Sequence, residues 1–192
     1  MIAELVCRTR SYRRFRESEP VTLDTLHKLV DLARLAPSAG NQQPLRYVLC
    51  CDRDTNAAIY PCLAWAGYLA DWPGPAEGER PAAYVIVLTE KGRGQAAAVD
   101  EGLALQNLLL GAVEHGLGGC ILGSVERDRV RAILDIPDDY DIGHVVALGV
   151  PAETVVLEEV GPDGDIKYWR DARSVHHVPK RRLADIIVGE RG

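Results

Sequence analysis

Five of the chain's 18 arginines fall within nine residues, Arg8-Thr9-Arg10-Ser11-Tyr12-Arg13-Arg14-Phe15-Arg16. A guanidinium is a planar fork of donors that matches phosphate or carboxylate, and a serine hydroxyl set among arginines adds a short donor. Each charged hydrogen bond of this kind contributes about 1.5–3 kcal/mol. On the segment alone an anion site and a solvated basic patch both stand. A second stretch, Ala36-Pro37-Ser38-Ala39-Gly40-Asn41-Gln42-Gln43-Pro44, leads from a predicted helix into a predicted strand. Its side chains donate and accept, and Gly40 lets a backbone approach a ligand, although such strings also make ordinary turns. A third, Gly116-Leu117-Gly118-Gly119-Cys120-Ile121-Leu122-Gly123-Ser124, brackets an apolar run with glycines and offers backbone N–H groups to an electron-rich ligand. A fourth, Val178-Pro179-Lys180-Arg181-Arg182-Leu183, puts three cations at a predicted helix start. There they oppose the helix dipole unless an anion or carboxylate answers them, a surface patch being the alternative.

Other constellations are weaker. Gly92-Arg93-Gly94-Gln95-Ala96-Ala97 has the spacing of a dinucleotide-binding turn. That fold wants an acid at the end of the next strand, roughly 20 residues on. Glu114 falls inside a predicted helix and Glu126 is too distant. The histidines (His27, His115, His144, His176, His177) show no ligand spacing and read as structural or surface residues. Cys7, Cys50, Cys51, Cys62 and Cys120 are odd in number and form no CxxC pair, as expected of free thiols in a reducing cytosol. No Ser/His/Asp, Cys/His or paired-carboxylate arrangement marks a protein nucleophile.

These segments must be positioned by alternating elements. Residues 22–36 have helical spacing of Leu26, Leu29, Val30 and Ala33, with Thr22 as cap and Pro37 as stop. Residues 47–51 read as a strand, 57–70 as a helix, and 71–81 as a Pro- and Gly-rich loop. Residues 84–89 are a strong buried strand, 100–114 the longest helix, and 119–123 a third strand. Ser124 is then expected to cap a helix carrying Val130, Ile133 and Leu134. Residues 144–150 form a fourth strand, and the polar remainder ends in a short helix near Leu183 and Ile186. Strands and helices interleaved in this way imply an α/β or α+β fold, with no repeat and no linker dividing the chain.

Composition bounds the partners. With 192 residues, one domain is the expectation. The 28 acidic residues against 22 basic ones give a net charge of −6, which argues against a nucleic-acid or anionic-membrane coat. No apolar run approaches a membrane span, and the first residues lack a signal peptide's apolar stretch.

The four segments, in this order, resemble the flavin-dependent nitroreductase family. The family's R-S-x-R-x-F stands as Arg10-Ser11-Tyr12-Arg13-Arg14-Phe15, and its P-S-x-x-N-x-Q-P as Pro37 through Pro44. Its D-x-G-x-A-x-Q-N helix running into G-L-G stands as Asp100 through Gly118, and its late P-K-x-R as Pro179 through Arg182. The resemblance implies an α+β fold: a central mixed sheet flanked by helices, in an intertwined homodimer with FMN at the subunit interface. Residues 170–192 would complete the FMN site. It gives Arg10, Ser11 and Arg13 to one end of FMN, with Arg13 stabilising negative charge on the reduced ring. Lys180 and Arg182 go to its phosphate and ribityl chain, Arg181 being a neighbouring substitute. Pro37, Ser38 and Asn41 would reach the flavin from the second subunit. Leu122, Gly123 and Ser124 would lie against the isoalloxazine, offering backbone N–H to N5. The implied activity is hydride transfer from NADH or NADPH through FMN to a nitroaromatic, quinone or similar small acceptor, in a ping-pong cycle in the cytoplasm. Flavin-consuming or dehalogenating chemistry, and FMN storage, are alternatives. Two departures stand out. Leu45 replaces a common aromatic, and the 57–81 excursion is short, leaving Trp65, Tyr68 and Trp72 as pocket walls, a lid or packing.

Overall fold

A computed structural model describes residues 1–93 and 97–192 in full, with the helical backbone alone given for 94–96. The Gly92–Ala97 dinucleotide-like turn therefore falls partly outside the described residues. The chain divides into two units, Met1–Trp65 with Pro73–Ala152, and Ala66–Trp72 with Glu153–Gly192.

The first unit is built on strand β2 (Ala83–Glu90), whose first six residues are all buried. A run that apolar must be covered on both faces. β2 pairs antiparallel with β1 (Leu45–Cys50) on one side and β4 (Tyr140–Gly149) on the other, and β4 carries β3 (Gly118–Leu122) at the far edge. The four named strands are antiparallel throughout. The parallel component is a single bridge from Ser11 to Gly119, laid along the outer edge of β3. Helix α1 (Ile2–Arg8) precedes that bridge. Helix α2 (Leu23–Arg34) starts on its expected cap, with Thr22 Oγ1 accepting from Thr25 N–H at 3.2 Å.

Leu26, Leu29 and Ala33 of α2 pack with Leu105, Leu108 and Ala112 of α4 (Gly94–Glu114) onto Ala83, Val85 and Val87 of β2. Burying each large aliphatic side chain contributes about 1.5–3 kcal/mol, so this layer is the unit's main stabilising term. Gly111 sits where α2 crosses α4, and a Cβ there would collide with Leu32 and crowd Leu29. The crossing therefore requires glycine.

Three expected elements shift. The helix placed over 57–70 is α3 (Arg53–Ile59), capped by Asp52 at 2.8 Å from Thr55 N–H. Pro61 converts the next turn to a short 3-10 turn, and the chain then turns extended at Leu63, bridging to Val125. That bridge also displaces the expected Ser124 cap. Ser124 O accepts from Ala64 N–H at 3.0 Å, and α5 (Arg127–Ile133) begins after Glu126 with no side-chain cap. The long helix starts before residue 100, at Gly94, and ends as expected with Gly116 at φ 75°. Cys50, Cys62 and Cys120 are buried free thiols, and burial pushes Cys50 up to about 12.

The second unit holds β5 (Val155–Glu159), β7 (His176–Lys180) and β6 (Trp169–Arg170) in the order β5-β7-β6, parallel then antiparallel. Its aromatic residues pack on one another. Tyr68 lies 4.9 Å from Tyr168, Trp169 stacks on His177 at 4.1 Å, and the Arg170 guanidinium covers Trp72 at 4.1 Å while bonding Glu153 at 2.9 Å. Within its own unit Trp65 is buried beside Tyr60 and Gly74. Pro179 and Lys180 belong to strand β7 rather than to a helix start. Arg182 is the N-cap of α6 (Leu183–Ile186), and its charge is answered by two 3.0 Å bonds to Asp185.

Candidate functional site

The arginine-rich segment sorts itself by partner. Arg8 pairs with Glu4, Arg14 with Glu79, and Arg16 with Glu19, so three of the five guanidinium groups are met by carboxylates of the chain. Arg10 donates from Nη2 to Val6 O at 2.7 Å, while its Nε is buried with no protein partner among the described residues. Arg13 is only 9% exposed and donates to Ser11 O at 3.3 Å. The segment is fixed to the β3 edge by the Ser11 bridge and by Tyr12 N–H donating to Gly119 O at 3.0 Å. A Cβ on Gly118 would stand 2.5 Å from the Tyr12 ring, so that approach requires glycine. Phe15, fully buried, anchors the far end.

The Pro37–Pro44 turn is held from α4. Ser38 Oγ donates to Asp100 Oδ2 at 2.6 Å and accepts from Gln43 N–H at 2.9 Å, and Ala39 N–H donates to Asp100 Oδ1 at 3.0 Å. Asp100 is 4% exposed, so this buried carboxylate answers the turn's donors directly. Gly40, Asn41 and Gln43 all adopt left-handed backbone, at φ 56°, 54° and 49°. The curl leaves Pro37 and Asn41 exposed, with Asn41 Oδ1 accepting from Gln43 Nε2 at 3.0 Å. An open cleft of about 480 Å³ runs from Pro37 and Ser38 past Asp100 to Tyr47. The Tyr47 hydroxyl is buried with no protein partner among the described residues, and burial together with nearby Glu101 pushes its pKa up to about 12.

At the end of β3, Leu122 is buried and pairs with Val145. Gly123 and Ser124 are exposed beyond it. Arg127 ties this corner together, donating to Ile142 O at 2.8 Å, Gly143 O at 2.9 Å and Gly123 O at 3.2 Å. Glu101, 7% exposed, accepts from both the backbone N–H and the ring Nδ1 of His144 at 3.0 Å. Its carboxylate occupies the space that any side chain at 143 would need. The His144 ring edge faces Gly123, whose Cβ would stand 3.5 Å from both Cδ2 and Nε2.

Arg10, Ser11 and Arg13 thus gather at the start of β3, and Leu122, Gly123 and Ser124 at its end. Gly119 and Gly123 are four positions apart, about 13 Å of strand. The Pro37–Asn41 turn is tied to the Gly123 corner through consecutive α4 residues, Asp100 holding the turn and Glu101 holding His144. Lys180 and Arg182 lie in the second unit, both exposed, Arg182 being bonded to Asp185. Sequence reasoning gave no individual role to Asp100, Glu101, Tyr47, Arg127 or His144. The available signal was the adjacent acid pair inside an otherwise apolar stretch of helix, which demands buried donors.

The chain is similar in fold to solved structures of nitroreductase family proteins. A nitroreductase family protein from Streptococcus pneumoniae TIGR4 aligns over 100% of both chains at a TM-score of 0.69 and 17% identity. An FMN-dependent nitroreductase from Clostridium difficile R20291 covers 80% of this chain and 88% of its own at TM-score 0.65 and 20% identity. Residues 7–150 match the nitroreductase family, and the chain belongs to that family of oxidoreductases. An NADH dehydrogenase of Thermus thermophilus is 29% identical over 189 residues, covering 84% of this chain and 92% of its own length. A 5,6-dimethylbenzimidazole synthase of Rhodospirillum rubrum is 27% identical over 195 residues, covering 90% of each. Among the described residues no helix is long and apolar enough to cross a membrane, and no cluster of His, Cys, Asp and Glu could hold a metal ion.

Proposed function

We propose that the chain binds FMN and works as an NAD(P)H-dependent oxidoreductase on a small acceptor such as a nitroaromatic or quinone, as a homodimer. The observation that carries this reading is Arg10, whose buried Nε has no protein partner among the described residues, in a segment where the Arg13 guanidinium is also nine-tenths buried, donating to Ser11 O. Buried cationic donors of this kind fit an anionic cofactor. Held by these residues, FMN would supply the hydride chemistry that links NADH or NADPH to the acceptor in a ping-pong cycle.

The chain's own residues then have separable tasks. Arg10 and Ser11 bind, and Arg13 sets positive charge where the reduced ring carries negative charge. Leu122, Gly123 and Ser124 line the ring with backbone. Lys180 and Arg182 bind the phosphate and ribityl chain. Pro37, Ser38 and Asn41 meet the flavin across the dimer, with the Ser38 hydroxyl committed to Asp100 so that Asn41 and the turn's backbone make the approach.

The test is anaerobic stopped-flow. The purified chain, loaded with FMN, is mixed with NADH or NADPH, and the flavin absorbance is followed before and after a quinone or nitro compound is added. Bleaching and reoxidation are expected; failure to bind FMN, or no bleaching by either nucleotide, overturns the reading. A second reading, in which flavin is consumed, is favoured by the Rhodospirillum relative, since the dimethylated ring in that product's name is also the outer ring of isoalloxazine. Chromatography of the flavin after aerobic turnover separates the two: intact FMN supports the first, a cleaved ring the second.

A further inference from the structure

We propose that His144 and Glu101 form a proton relay at the Gly123 corner, with His144 as the acid that protonates the acceptor and Glu101 as its positioning residue. The inference rests on the oxidoreductase reading above. Three observations carry it. Glu101 is buried at the sheet and accepts from both the backbone N–H and the ring Nδ1 of His144, each at 3.0 Å. Those bonds fix the ring's orientation and hold Nδ1 in the protonated tautomer, which leaves Nε2 for exchange. The Nε2 edge faces Gly123, while the side chain as a whole is 42% exposed, so the ring touches both the corner and water. Finally, the fold keeps position 143 free of a side chain: the Glu101 carboxylate fills the space where a Cβ would stand. A glycine that clears room for a buried carboxylate beneath an exposed imidazole is a costly arrangement for packing alone.

The chemistry is that of a positioned general acid. Reducing a quinone by two electrons takes one hydride and one proton. The hydride, originating on the nicotinamide donor, would be supplied by the bound flavin, its bond to the carrier breaking as the bond to the acceptor forms. The proton leaves Nε2 for the acceptor's oxygen, the imidazolium becomes neutral imidazole, and water returns the proton from the exposed side. Glu101 stays a carboxylate and balances the charge on the ring. Charged or titratable groups near the pair include Arg127, which donates to Gly143 O and Gly123 O, Tyr47, which is close enough to feel the Glu101 charge, and Asp100, the neighbouring acid on α4.

An acceptor that takes electrons without protons isolates the relay. His144→Gln and Glu101→Gln are compared with the parent chain, all loaded with FMN, using NADH with either benzoquinone or ferricyanide. His144→Gln is expected to lower kcat with benzoquinone by about tenfold or more, within the range of a lost general acid, and to leave the ferricyanide rate within about twofold. Glu101→Gln is expected to weaken the pH dependence of the benzoquinone rate. A readout independent of turnover is the imidazole Nδ1–H of His144 in nitrogen-15 NMR of the full chain. A hydrogen-bonded downfield signal is expected in the parent, absent in His144→Gln and shifted in Glu101→Gln. Equal losses with both acceptors, an unchanged benzoquinone rate, or a ring protonated on Nε2 alone overturns the relay. A parent chain that reduces neither acceptor overturns the oxidoreductase reading and the relay together.

Discussion

Asp100 is a buried carboxylate whose partners are one hydroxyl and one backbone N–H. Asp100→Ala removes two hydrogen bonds to a carboxylate, from the half-buried Ser38 hydroxyl and the exposed Ala39 N–H. The expected cost is about 1–3 kcal/mol, read as a lower Tm, together with weaker FMN retention because the turn loses its anchor. Ser38→Ala removes two bonds, the one given to Asp100 and the one accepted from Gln43 N–H, and the expected loss is about 1–2 kcal/mol. Tyr47 runs the other way. Its hydroxyl is buried with no protein partner among the described residues, so Tyr47→Phe is expected to leave Tm unchanged or raised. The same residue gives a pH signature. Its pKa is raised from 10.0 to about 12 by burial first and Glu101 second. Between those values the unfolded phenol ionises while the folded one holds its proton, so stability falls across that alkaline window. Urea titrations from pH 9 to 11.5 should show a shallower fall in Tyr47→Phe. At this scale legibility in the sequence was uneven. Arg10, Ser11 and Arg13 are distinguished by density and order. Tyr47 and His144 are single residues whose meaning comes from Glu101, which is far from both along the chain.

Elements were legible where the local rule and the packing agree. Thr22 caps α2 and Pro37 follows its end, so period and punctuation point the same way. They failed where a distant partner decides. Residues 63–64 read as helix by composition, yet Pro61 breaks the turn and residues 124–125 supply strand-like partners. The second unit's strands are short and only partly covered, so their pairing, not their hydropathy, defines them. The α2–α4 crossing sets two effects against each other at Gly111. Replacing glycine by alanine inside a helix ordinarily gains about 1 kcal/mol. Here the new methyl would overlap Leu32 and press on Leu29, and overpacking costs about 1–3 kcal/mol. Gly111→Ala is therefore expected to lower Tm, and a rise would show that the two helices separate easily.

For the whole molecule, the proposed homodimer needs a surface. Val99 and Leu103 on α4 are 61% and 43% exposed, and Ile2 and Val6 on α1 are 65% and 45% exposed, an apolar presence that water does not favour. Leu103→Asp is expected to halve the mass seen by sedimentation velocity and to cost FMN retention in the same sample, since the Pro37–Asn41 turn is assigned to the second subunit's flavin. A monomer that stays fully yellow would show that one copy suffices. The two adjacent acids of α4 carry a further consequence for this assembly. Asp100 and Glu101 occupy successive positions of one rigid helix, yet each grips a different part of the chain, the first a loop and the second an imidazole. A shift of that helical turn displaces both at once. A change that moves this turn to alter the flavin contact proposed for the loop would therefore also move the proposed proton donor, so the two proposed roles would have to be engineered together.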